Sequence, residues 1–131
     1  MAGYNNITAA FAVMVIAFLV FRPASMVVLA DYIFAVGEDT GWNDQRYDYQ
    51  AWADNYFYNP GDTLFFLYDP GLYDVVVAGS AELFDACSID HNLGFYHTGR
   101  DELVLPTPGT YYFFDRATCK DFHMKFYVNV N

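Results

Sequence analysis

After Asp31 the chain alternates between short apolar stretches and clusters of turn residues. The clearest pattern is at the C-terminal end, where Met124, Phe126, Val128 and Val130 alternate with Lys125, Tyr127, Asn129 and Asn131. A period of two predicts a strand with one face in a core and one in water. Leu64-Phe65-Phe66-Leu67 is apolar at every position and reads as a central strand covered on both faces. Strands are predicted over residues 63–68, 73–77, 102–105, 110–114 and 124–130, all rich in aromatic and β-branched residues. Between them stand Asp39-Thr40-Gly41, Asn59-Pro60-Gly61-Asp62, Asp69-Pro70-Gly71, His97-Thr98-Gly99 and Pro106-Thr107-Pro108-Gly109, whose chemistry favours tight turns. Two stretches read as helical, residues 47–55 and 80–86, the second with Ser80 as cap and Leu83 and Phe84 toward the core. The pattern is that of an all-β sandwich of two sheets with one or two short helices, without internal repeats.

The first thirty residues follow a different rule. An unbroken apolar run from Ala9 to Phe21 ends at Arg22-Pro23, and Val28-Leu29-Ala30 places small residues before a cleavage point. This predicts a secretory signal peptide over residues 1–30, removed after Ala30, and a mature domain over 31–131. The run is too short for a membrane span, which needs about twenty apolar residues. No polar spacer and hydrophobic tail follow at the other end, so a lipid-anchor signal is not read there. The sequon Asn6-Ile7-Thr8 lies within the predicted leader, so no N-linked glycan is expected on the mature chain.

Charge narrows the partners. The formal charge is −10 for 131 residues, and loss of the leader removes Arg22 and no acid, leaving −11. Nucleic acid is excluded as a partner for such a surface. The acids are spread along the mature chain and read as a solvated face. A secretory leader implies an oxidising compartment, and the two cysteines allow a single intramolecular pairing, Cys87 with Cys119.

Particular residues carry a resemblance. Val36-Gly37, Gly41-Trp42, Tyr49 to Trp52-Ala53, Phe57 and Pro60-Gly61-Asp62-Thr63-Leu64 leading to Phe66 and Tyr68 are followed by Asp74-Val75, Phe84-Asp85-Ala86-Cys87, Thr98-Gly99, Asp101, Leu105, Gly109, Tyr112-Phe113, Cys119 and Met124-Lys125. This succession resembles the phytocyanins, plant cupredoxin-like proteins, and within them the early nodulin-like or lamin-like branch. The resemblance implies a Greek-key sandwich and, by the family label, electron transfer at the plasma membrane or cell surface through type 1 copper. Such a site takes two imidazoles, one thiolate and a weak axial ligand. The positions that match the family's ligands hold Tyr73, Asp115, Thr118 and Met124, with His123 as the axial alternative if the register moves by one. No cofactor is therefore expected. Tyr73 and Asp115 offer at most a hard oxygen pair, and a phenol needs a strong cation to lose its proton.

Other chemistry is weaker still. His91, His97 and His123, with Asp90 and Asp121, follow no compact zinc spacing. No serine or cysteine stands in a nucleophile motif, and adjacent acids such as Asp101-Glu102 are unavoidable among sixteen acidic residues, so no enzyme is read. Tyr56, Phe57, Tyr58, Tyr73, Phe95, Tyr96, Tyr111, Tyr112 and Tyr127 are candidates for partial exposure. Of these Tyr73, Phe95 and Tyr96 are expected to form a partner surface at the copper end for an extracellular protein or a cell-wall glycan. The expected function is a secreted, non-copper interaction or structural module at the cell surface or wall, with an electron-transfer metalloprotein as the alternative.

Overall fold

The computed structural model describes residues 31–131; the predicted leader and its sequon lie outside them. Strands β1 (Ile33–Ala35), β2 (Thr63–Leu67) and β5 (Arg100–Val104) form one sheet, ordered β1-β2-β5. The second is ordered β4-β3-β6-β7, from β3 (Val75–Val77), β4 (Gly94–Tyr96), β6 (Gly109–Phe114) and β7 (Lys125–Val130). Helices α1 (Tyr49–Ala53), α2 (Ala81–Asp85) and α3 (Cys119–Phe122) are each a turn or so long, and a 3-10 turn covers Glu38–Thr40. β1 runs parallel to β2, and the other pairs are antiparallel.

Between the sheets the alternating positions meet as expected. Leu64 and Phe66 of β2, Leu103 of β5, Phe113 of β6 and Phe126, Val128 and Val130 of β7 are buried with Trp42, Tyr49 and Trp52. Phe126 is the hub, its ring centroid 5.2 Å from Phe113, 5.6 Å from Trp52 and 5.8 Å from Trp42, the last two edge-on, an arrangement aromatic quadrupoles favour. The second sheet is covered on its other face as well, where Val76, Ala78, Phe84, Phe114 and Cys119 form a smaller core under α2. That is why Val75-Val76-Val77 is apolar without alternation.

Leu64-Phe65-Phe66-Leu67 is central in its sheet but is not buried on both faces: Phe65 is half-exposed and Leu67 exposed. Only the inward face has a second sheet against it, and Phe65 is partly shielded by the Arg100 guanidinium, 5.5 Å from its ring centroid. Tyr58 is buried, its hydroxyl donating to the Ala53 carbonyl at 3.0 Å. Nor are all the acids a solvated face: Asp62, Asp74, Asp101 and Asp115 are buried. Asp62 accepts from the backbone N–H of Tyr32 (2.9 Å) and Asn59 (2.8 Å), tying β1 to the turn before β2. Asp101 accepts from the hydroxyls of Tyr68 and Thr98.

Local chemistry ends the helices and turns as written in the sequence. Ser80 Oγ accepts from Leu83 N at 3.2 Å at the start of α2, and Asp48 caps α1 through Ala51 N at 2.9 Å. Gly37 has φ +72°, and a Cβ there would run into the Gly41 carbonyl oxygen and the Tyr49 ring. Cys87 and Cys119 form the expected disulfide, joining the end of α2 to the start of α3 across 32 residues.

Candidate functional site

Asp115 follows the last residue of β6 and is fully buried. Its carboxylate is enclosed by three donors: Asp74 N reaches Oδ1 at 2.8 Å, while Thr118 N (3.0 Å) and Thr118 Oγ1 (2.7 Å) reach Oδ2. Met124 Sδ lies 2.9 Å from the same threonine oxygen; a hydroxyl has one hydrogen, so the carboxylate takes it and the sulfur is a packed neighbour. The backbone closes the ring, with Asp115 N donating to Met124 O at 3.1 Å and Cys119 N to Asp115 O at 3.0 Å. Burial pushes the Asp115 carboxyl above the usual aspartate range, against the hydrogen bonds from Thr118 and Asp74 that pull it down.

Of the four predicted positions, the structure thus brings Asp115, Thr118 and Met124 into one contact set. Tyr73 does not join them through its hydroxyl, which donates to Asp44 Oδ1 at 2.7 Å. That bond, before burial, raises the phenol's pKa, so the hard oxygen pair of Tyr73 with Asp115 is not made. His123 sits exposed in left-handed backbone at the end of α3 (φ 51°), outside the set.

Asp74 links this buried cluster to the surface. Its carboxylate accepts from Arg116 N at 3.0 Å and from Arg116 Nε at 2.7 Å, and its carbonyl accepts from the Trp42 indole at 2.8 Å. The guanidinium so held lies over the Phe95 ring, 4.6 Å from the centroid. Beside it opens a hollow of about 570 Å³ lined by Leu72, Tyr73, Asp74, Phe95, His97 and Arg116 among others. Leu72 is 65% and Phe95 39% exposed. Of the three residues expected to form a partner surface, Tyr73 and Phe95 line this hollow and Tyr96 does not. Adjacent residues of β4 point to opposite faces, and Tyr96 packs against the core, lining a separate notch with Leu93 and Val104. Leu72 and Arg116 went unread. Arg116 carried a signal, as the cation directly after Asp115.

Residues 42–122 match the plastocyanin-like domain family. The chain belongs to the phytocyanins of that family. It is 34% identical over 85 residues to "Blue copper protein 1b" of Medicago truncatula and 30% identical over 91 residues to "Early nodulin-like protein 9" of Arabidopsis thaliana. These matches cover 65% and 66% of this chain, which spans only about half of these relatives, 51% and 44% of their lengths. Among solved structures, cucumber basic protein, a blue copper protein, superposes with a TM-score of 0.66 at 29% identity over 76% of this chain and 99% of that one. The cupredoxin-like sandwich expected from the sequence is the fold of this phytocyanin.

The blue copper named in these relatives does not fit the residues present. Both cysteines are joined to each other, so this phytocyanin has no thiolate to give, and the contact set around Asp115 holds a carboxylate, a hydroxyl and a thioether without an imidazole. Type 1 copper requires the soft thiolate and two imidazoles. No three His, Cys, Asp or Glu side chains gather into a possible ion site among the described residues.

Proposed function

We propose that this phytocyanin acts without copper, as a secreted interaction module at the cell surface or cell wall, and that it presents the hollow between Leu72, Tyr73, Phe95 and Arg116 to its partner. The internally hydrogen-bonded Asp115 carboxylate carries the reading. Where the resemblance places a metal thiolate, a carboxylate accepts from three internal donors and supplies no soft ligand for copper. The exposed Leu72 and Phe95 supply apolar contact area beside a fixed cation, the composition of a small recognition surface. The apolar leader over residues 1–30 supports secretion. Neither serine nor cysteine lines the hollow, and the module is read as non-enzymatic.

The test is binding of the purified protein to isolated plant cell-wall material and to intact protoplasts. Saturable binding to either that falls when Tyr73 and Phe95 are both changed to alanine supports the module. Binding that is absent from both surfaces, or unaltered in that variant, contradicts it.

A further inference from the structure

Arg116 is held more firmly than an exposed arginine requires. Its Nε and backbone N–H are both taken by the Asp74 carboxylate, its guanidinium carbon lies over the Phe95 ring, and its side chain is still 51% exposed. Its two terminal nitrogens hydrogen-bond to nothing among the described residues. A guanidinium with one edge anchored presents the other as a fork, and that fork matches a carboxylate through two parallel hydrogen bonds. Because its rotamer is fixed beforehand, little ordering entropy is lost on binding.

The size of the hollow selects the kind of partner. At about 570 Å³ it lies within the range of small-ligand clefts, about 300–1,000 Å³. A standard protein interface buries about 800 Å² from each side, whereas the apolar lining here is Pro70, Leu72, Tyr73, Phe95 and Ala117. One or two sugar rings, with their C–H faces against those side chains, suit the space.

We propose that the hollow binds an acidic sugar of a glycan, its carboxylate on Arg116 and its ring against Leu72 and Tyr73, with Asp74 as the residue that positions Arg116. This rests on the reading of the hollow as the presented surface and names its ligand class. The domain's net negative charge opposes any anion at long range. At physiological salt that field decays over about 8 Å, so the contact with Arg116 decides binding, and raising salt from low values strengthens binding before it weakens it.

The probe is a short oligogalacturonate, compared with the same oligosaccharide fully methyl-esterified, by calorimetry on the purified protein. Expected is saturable binding of the acid form, with a loss of about tenfold or more for the ester and for Arg116→Lys, since a charge-assisted fork is removed in each. Asp74→Asn should weaken the acid form and leave the ester unmoved, which a merely structural role would not do. Leu72→Trp, at an exposed position, fills the hollow and removes binding independently. Equal binding of acid and ester, or no binding of the acid, overturns the uronate assignment. The wall and protoplast measurements above would then still decide the module separately, and a protein ligand seated in this hollow would likewise replace the acidic sugar.

Discussion

The Thr118 hydroxyl lies 2.7 Å from the Asp115 carboxylate and donates to it, in the interior of the end of the sandwich where the resemblance places copper. The same threonine adds its backbone N–H at 3.0 Å. One short loop thereby closes on itself, and Asp74 N and Met124 O attach it to β3 and β7.

Thr118→Val keeps the shape and removes the hydroxyl. The buried carboxylate then lacks a donor, which costs about 1–3 kcal/mol. Denaturant unfolding should register that loss, and Thr118→Ser should recover most of it. An unchanged midpoint in the valine variant would mean that Asp115 is not satisfied in this way.

Asp115 also sets a pH dependence. Burial raises its folded pKa above the ordinary 3.8, so the folded state favours the protonated form. The stability this group contributes is complete below that ordinary value and is lost as pH rises through the raised one. Compared with Asp115→Asn, the wild type should lose stability as pH climbs through that window, as read by paired melts. A difference that stays flat or widens with pH contradicts the assignment.

The disulfide closes a loop with a sequence separation of 32. By the chain-entropy estimate it contributes roughly 3–4 kcal/mol, a large share for a domain of this size. Paired Cys87→Ala and Cys119→Ala replacement should lower the unfolding free energy by about that amount, and reduction should do the same. A variant as stable as the wild type would show that α2 and α3 hold their places without the bond.

Gly37 is a backbone requirement. Its φ of +72° and the absence of room for a Cβ beside Gly41 O and Tyr49 make Gly37→Ala costly, by more than about 1 kcal/mol. The Tyr49 phenol reports on the same corner. Burial pushes it up to about 12, so alkaline absorbance titration should leave it protonated until that corner opens. A tyrosine titration complete by pH 11 would contradict its burial.

Much of the fold was written in the chain because long alternation survives context: the inward face of β7, the cap at Ser80 and the strand through Leu64 and Phe66 all stand where the pattern puts them. What escaped was short. β1 and β4 have three residues each, too few for a period to appear, and α3 is a single turn started by the disulfide and the Asp115 carbonyl. Missing β4 had a direct consequence, because only its pleat separates exposed Phe95 from inward Tyr96. The site was legible as a set of positions, Asp115, Thr118 and Met124, through the resemblance alone. The side-chain bonds that close it, and the path through Asp74 to Arg116, depend on approaches across 41 and 42 residues that no local pattern encodes.

Copper itself gives the sharpest test. The purified protein, its disulfide intact, is equilibrated with Cu(II), dialysed, and examined for bound metal and visible absorption. No stoichiometric copper and no intense blue band are expected, because no thiolate is free and Asp115 is held by internal donors. A stoichiometric ion with that band would contradict it and return electron transfer to this phytocyanin.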